Sequence, residues 1–333
     1  MTDHDYNREL TLDKLKPWMS KETYEWIKAD DEERLELQEQ IAAERSINLF
    51  GDDDSNDGTA RVQTWTSSLT NPDGIGGFQN RNDQDDGVPT RDSDAVSIIF
   101  ILSDSHDGFG DVVWASSRHI ANILANPNKC QELLLPLYQT EEEPFERQPH
   151  PLVGKRFIEL GAGAGIPSWT AMKCGARVVC TDQRKANRIR CMAECIERNY
   201  EQMKLEGSPY LEYGLAARAC PLSWGKSVDE VKAIEEKFDI IIAADCCYMP
   251  WLHDEMLDTI HKLLEDKGVA IVAFCLHGNA DDDDVWGIVD RAKAKGFAVE
   301  ELPATQLTPP GMLMESKQGL VHTLRLTKSS IPN

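Results

Sequence analysis

The sequence lacks any apolar run long enough to cross a bilayer. Its longest, Ala95–Leu102 and Phe238–Ala244, fall far short of the roughly 18–20 residues required, so no membrane span is expected. It also has few basic residues: 35 Lys and Arg stand against 57 Asp and Glu, a formal charge of -22. Nonspecific nucleic-acid binding needs cations to displace phosphate counterions, so nucleic acid is not an expected partner, whereas a basic protein or a small molecule is. No CxxC pair exists to suggest a zinc ribbon. The nine cysteines are odd in number and sit inside apolar patterns such as Val178-Val179-Cys180 and Ala273-Phe274-Cys275, which predicts reduced core thiols and no disulfide framework. Cys246, Cys247, Cys191 and Cys195 have no histidine at ligand spacing, so no metal site is expected, and His253, His261 and His277 read as surface or satisfied histidines. The amino-terminal residues carry neither a basic start nor an apolar segment. A cytoplasmic location is expected, with the nucleus as the alternative.

What is present suits a large soluble domain with an appendage: 41% hydrophobic residues can fill a sizeable core. The first stretch, to about Asn48, reads as helical, with Leu35, Leu37 and Ile41 spaced among charges. Residues 50–94 are dense in Asp, Asn, Gly and Ser, relieved only by the alternation at Val62–Trp65. Such a segment buries too little apolar surface to offset its ordering entropy, which predicts a long loop or partial disorder. The acidic runs Asp52–Asp54 and Asp281–Asp284 read as solvated loops. Residues 1–94 are therefore an acidic extension, partly helical and partly disordered, and 95–328 the main domain. Within it Ala95–Leu102 has strand character, Gly108–Gly110 breaks it, Trp114–Leu124 is an amphipathic helix, and 126–151 is loop-like.

Beyond Gly154 short buried strands alternate with helices, the mark of a parallel sheet covered on both faces. Strands are expected at Arg156–Leu160, Arg177–Thr181, Leu215–Ala219, Phe238–Ala244, Val269–Phe274, Phe297–Leu302 and Leu320–Leu326. Helices are expected at Ser168–Cys174, Lys185–Asn199, Leu252–Leu264 and Val285–Lys295. The fold class is α/β, a doubly wound Rossmann-like seven-strand sheet.

The most informative stretch is Phe157–Gly165. An apolar strand runs straight into Gly161, Gly163 and Gly165, and Ile166-Pro167-Ser168 then opens a helix. Glycine suits a sharp turn whose backbone a ligand approaches. A dinucleotide site would space its glycines GxGxxG and seat a pyrophosphate on the helix. Here the spacing is GxGxG with Glu159 two residues earlier, and a carboxylate there would oppose an anion and favour a sulfonium and an ammonium. That tilts the ligand from NAD to S-adenosylmethionine. The second strand ends at Asp182, 23 residues after Glu159, the distance expected of a ribose-binding acid. Leu222-Ser223-Trp224-Gly225 follows the third strand, where the Trp224 indole either covers an adenine or fills the core.

After Phe238–Ala244 comes Asp245-Cys246-Cys247-Tyr248, a DxxY at the carboxyl edge of a central strand, where open α/β sheets bind ligands. With Val113–Ser116, Glu159–Gly165, Ala176–Asp182, Leu222–Gly225 and Ala244–Tyr248 in this order, the chain resembles the seven-β-strand lysine methyltransferases. Val272–His277 and Val285–Glu300 are similar to a fungal subgroup that modifies a translation elongation factor and was once labelled nicotinamide N-methyltransferase. The resemblance covers about residues 95–327. It departs from that subgroup after Asp182, where Gln183-Arg184-Lys185 replaces a Tyr-Pro.

The resemblance implies a methyltransferase that uses S-adenosylmethionine, with Trp114, Glu159, Gly161, Gly163, Gly165, Asp182, Trp224 and Ala244 at the cofactor and Asp245 and Tyr248 at the reaction. A neutral nitrogen must attack the methyl group, yet a lysine of pKa near 10.4 is mostly charged, so an apolar channel that disfavours the ammonium would help. Asp245 is expected to accept a hydrogen bond from the amine and Tyr248 to shape the channel. The expected acceptor is a protein lysine or N-terminal amine, with a translation factor as candidate, and the expected state is a monomer. A small amine such as nicotinamide and a non-catalytic binding module remain as alternatives at this stage.

Overall fold

The computed structural model describes residues 10–45, 61–67, 77–79, 95–102, 113–138, 150–277, 280–307 and 319–329. The Asp52–Asp54 run, the break at Gly108–Gly110 and most of the polar stretch 50–94 lie outside these residues.

In chain order, short helical turns at Leu12–Leu15 and Lys16–Trp18 lead into helix α1 (Lys21–Arg45). Strands β1 (Arg61–Thr66), β2 (Gly77–Gln79) and β3 (Ser97–Leu102) follow, then helices α2 (Ala115–Ala125), α3 (Pro127–Leu133) and α4 (Leu135–Tyr138). Strands and helices then alternate: β4 (Arg156–Leu160), α5 (Ile166–Lys173), β5 (Arg177–Asp182), α6 (Ala186–Glu206), β6 (Arg218–Pro221), α7 (Asp229–Lys232) and β7 (Phe238–Ala244). The remainder is α8 (His253–Leu263), β8 (Leu264–Phe274), α9 (Asp282–Trp286), α10 (Ile288–Ala294), β9 (Phe297–Gln306) and β10 (Leu320–Lys328).

Seven strands form one sheet in the order β6-β5-β4-β7-β8-β10-β9. The first five pair in parallel. β10 inserts antiparallel between β8 and β9. This is the expected doubly wound sheet. Consecutive residues of the central strands face opposite layers, as the period of two requires. Phe157, Val178, Ile240 and Ile271 pack with Ile120, Trp169 and Ile189 on one side. Ile158, Val179, Ile241 and Val272 pack with Met256, Ile260 and Ile288 on the other. From β4 the chain winds outward through β5 to β6, then returns to β7 on the other flank of β4. The crevice where strand order reverses therefore lies between the carboxyl ends of β4 and β7, with Leu160 beside Ala243.

The amino-terminal segment packs onto this domain. Leu15, Trp18 and Ile27 are buried. Trp18 Nε1 donates to Glu197 Oε2 of α6 at 2.7 Å, and Arg190 pairs with Asp31 at 3.0 Å. Met19 forms a parallel bridge with Ala219 of β6, covering part of an otherwise open sheet edge. β1, β2 and β3 make a separate antiparallel sheet, with β1 in the middle. Asn199 of α6 ties β3 to the domain, accepting from the Ile99 amide at 2.9 Å and donating to its carbonyl at 2.6 Å. β1 and β2 precede residue 94 and β3 follows it, so strands from both sides of that position share this sheet.

Three expectations are corrected. The stretch 126–151 was expected to be loop, but Asn126 accepts from the Lys129 amide and Pro127 occupies the first turn, which starts α3. The third strand begins at Arg218, not Leu215, because Leu215–Ala217 are tied into turns by bonds back to Leu211, Tyr213 and Gly214. The helix expected at Val285–Lys295 is two, α9 and α10, meeting at Gly287. All nine cysteines are free thiols. Among the described residues no helix is long and apolar enough to cross a membrane.

Candidate active site

A cavity of about 540 Å³ opens at the carboxyl ends of β4, β5 and β7, within the size range of small-molecule sites. Eight of the ten residues expected at a site line it: Trp114, Gly161, Gly163, Asp182, Trp224, Ala244, Asp245 and Tyr248. Glu159 and Gly165 do not.

The glycine loop explains its own composition at one position. Gly161 has φ +63, and a Cβ there would come within 2.9 Å of Cys246 Sγ and 3.0 Å of the Trp224 ring. Only a residue without a side chain leaves that floor open. Glycine at 165 serves packing instead: a Cβ would meet the Trp169 ring at 2.7 Å, and that indole donates to the Ala164 carbonyl at 2.8 Å.

Glu159 points away from the cavity into the protein. It accepts from the amide and the hydroxyl of Ser168 in the first turn of α5, where free N–H groups await a partner. Burial pushes its carboxyl up to about 8, against the pull of the Ser168 hydrogen bonds. The electrostatic preference for a cationic ligand therefore cannot be assigned to Glu159 as a lining group.

The two aspartates of the cavity differ in how much accepting capacity they retain. Asp182 ends β5, and each carboxylate oxygen takes one backbone bond, from Gly163 N at 2.8 Å and Gln183 N at 2.7 Å. A carboxylate has about four lone-pair sites, so about half remain for a ligand's hydroxyls. Asp245, at the end of β7, meets four donors of the chain itself. Oδ2 accepts from the Ser116 amide at 3.3 Å and from the Ser116 hydroxyl. Oδ1 accepts from Cys275 N at 3.1 Å and His277 Nε2 at 2.9 Å. Among the described residues Asp245 is also the only non-glycine with positive φ, at 55 degrees. Aspartate tolerates that region better than most residues, and its backbone amide is fixed to Ala273 O at 2.7 Å. Asp245 thus joins α2, β7 and the end of β8 while lining the cavity.

Tyr248 is half-buried, and burial pushes its phenol up to about 12, so it stays protonated at neutral pH. Trp114 precedes α2, and its ring meets His277 edge-on with centroids 4.6 Å apart. Sequence reasoning set His277 aside; its place at the carboxyl end of β8 was the signal available. Ser116 lay inside the quoted Val113–Ser116 motif without a role. Gln183, Arg188, Leu222, Met249 and Leu252 also line the cavity.

The lining set fits a nucleoside carrying a charged sulfur: a glycine floor, an aspartate with spare acceptors, and aromatic rings from Trp114 and Trp224. A family model described as lysine methyltransferase matches residues 93–285. A protein N-terminal and lysine N-methyltransferase of Gibberella zeae, EFM7, is 30% identical over 188 residues, spanning 53% of this chain and 68% of the relative. The mouse protein-lysine methyltransferase METTL21E is 32% identical over 173 residues, 52% of this chain and 59% of the relative. The human histone-arginine methyltransferase METTL23 is 29% identical over 120 residues, 36% of this chain and 55% of the relative.

Proposed function

The chain belongs to the lysine methyltransferase family, and on that premise we propose that it transfers the methyl group of S-adenosylmethionine to a protein amine, a lysine side chain or an N-terminus. One observation carries the reading: Gly161, Gly163 and Asp182 share a single cavity with Asp245 and Tyr248. The cofactor, when bound, supplies an electrophilic methyl on a positively charged sulfur. Asp182 would hold the ribose hydroxyls with its unused lone pairs, and Trp224 beside Gly161 would line the adenine side.

The remaining work is positioning, which suits a displacement needing aligned reactants more than a strong base. Asp245 fixes Ser116 and His277, and through them Trp114, around the place of reaction. Tyr248 keeps its proton and so is no base; its ring offers an aromatic face to an amine. The proton of the incoming ammonium is lost to solvent before attack, a loss favoured by the partly apolar lining of Leu222, Met249 and Leu252.

The resemblance to the elongation-factor subgroup and the charge of -22 support a basic segment of a translation factor as substrate, met by a monomeric enzyme in the cytoplasm. The test is incubation of the purified protein with methyl-labelled cofactor in a cell lysate, followed by fractionation and amino-acid analysis. Label in protein, on lysine or an N-terminal residue, is the expected result. Label confined to small molecules, or to protein arginine, contradicts it.

A further inference from the structure

The residues following Asp182 divide between the cavity and the amino-terminal segment. Gln183 and Lys185 line the cavity. Arg184 between them reaches outward instead. Its guanidinium lies 4.3 Å from the centroid of the Trp26 ring on α1, and its Nη1 is 3.1 Å from Glu230 Oε2 on α7. Glu230 is held in turn from α1, because Thr23 Oγ1 donates to its other oxygen at 2.6 Å. Thr23 is itself fixed, its amide donating to Ser20 Oγ at 3.0 Å.

Thr23 and Trp26 are three residues apart and so share one face of α1. Each receives one member of the Arg184–Glu230 pair, which closes a four-residue clasp. Its two ends belong to the neighbouring segments that follow β5 and β6, which pair at Asp182 and Pro221. Arg184 continues the Asp182–Gln183 flank, while Glu230 follows the Leu222–Lys226 segment that brings Leu222, Ser223, Trp224 and Lys226 to the lining.

We propose that the first turns of α1 are a positioning element of the cofactor site: Thr23 and Trp26 grip Glu230 and Arg184 and thereby set the spacing between the ribose-side loop and the Trp224 loop. The amino-terminal segment is on this account part of the nucleoside end of the cavity, although none of its described residues lines it. Trp26 and Arg184 are positioning residues. The inference rests on the assignment of the cavity to S-adenosylmethionine.

The test is calorimetric titration of the full chain with S-adenosylhomocysteine, comparing wild type with Trp26→Ala, Arg184→Ala, the double variant, Trp26→Phe and Lys14→Ala. Lys14 belongs to the same amino-terminal segment but pairs with Glu197, outside the clasp. Each single alanine variant is expected to raise Kd about three- to tenfold, the size of one partly exposed cation–π or ionic contact. The double variant should be little worse than Arg184→Ala, which already removes the contact with Trp26 together with the Glu230 pair. Trp26→Phe should restore affinity, Lys14→Ala should leave it unchanged, and kcat at saturating cofactor should stay at the wild-type value in all. Wild-type binding with unaltered Kd in both alanine variants overturns this inference alone, as does a fall in kcat without a change in Kd. Failure of the wild type to bind overturns the assignment of the cavity, and the clasp's role with it.

Discussion

His277 Nε2 lies 2.9 Å from Asp245 Oδ1, and the same imidazole meets the Trp114 ring edge-on, so one histidine links the acid ending β7 to the residue that opens α2. His277→Ala removes both contacts. Turnover should fall about tenfold or more, the scale of a misplaced positioning group, while the unfolding midpoint moves little. Steady-state kinetics beside thermal denaturation check this; wild-type turnover would show that the link is idle.

Asp245→Ala should cost stability as well as activity. Four donors converge on this buried carboxylate, and its removal strands them, at about 2–4 kcal/mol. Asp245→Asn keeps the volume but must turn an NH₂ toward one pair of donors, so it too should unfold earlier in urea. Wild-type stability with abolished activity would instead mark a direct reactant, the role read from the sequence.

Gly161→Ala tests the glycine floor. Its Cβ would lie 2.9 Å from Cys246 Sγ and 3.0 Å from Trp224, at a φ of +63 that alanine resists. Loss of measurable cofactor binding is expected by calorimetry, with Gly207→Ala as the comparison, since nothing lies near a Cβ there. Equal affinity in Gly161→Ala and wild type would contradict the account.

Glu159 predicts a pH dependence. Burial pushes its carboxyl up to about 8 in the folded protein from the ordinary 4.5. Between those values the unfolded chain has released a proton that the folded one retains, so stability from this group is full below about 4.5 and lost as pH rises through 8. Glu159→Gln removes the effect. Urea midpoints at pH 6 and 8.5 should therefore fall less in the variant than in wild type; parallel falls would mean that Glu159 does not hold its proton.

The sheet and most of the cavity were legible because both are written in local patterns. Buried strands such as Phe238–Ala244 announce themselves by length and apolarity, and the glycines and Asp182 by their place at strand ends. What stayed hidden depends on side-chain direction and distance in sequence. Glu159 looked like a ligand neighbour because it precedes the glycines, but the pleat aims it at Ser168. Asp245 looked free to serve a substrate, since nothing in its own motif reveals Ser116 and His277, which come from elements before and after it. The amino-terminal helix offered only a charged surface pattern. Its attachment through Trp18, Trp26 and Asp31 to α6 and its preceding loop is long-range, with partners more than 150 residues away.

The most direct measurement is titration of wild type and Asp182→Ala with S-adenosylhomocysteine. The account predicts one-site binding by wild type and a loss of about ten- to a hundredfold in Asp182→Ala, the worth of a charge-assisted hydrogen bond to a ligand hydroxyl, with far-ultraviolet dichroism unchanged. No binding by wild type, or equal binding by both proteins, would contradict it.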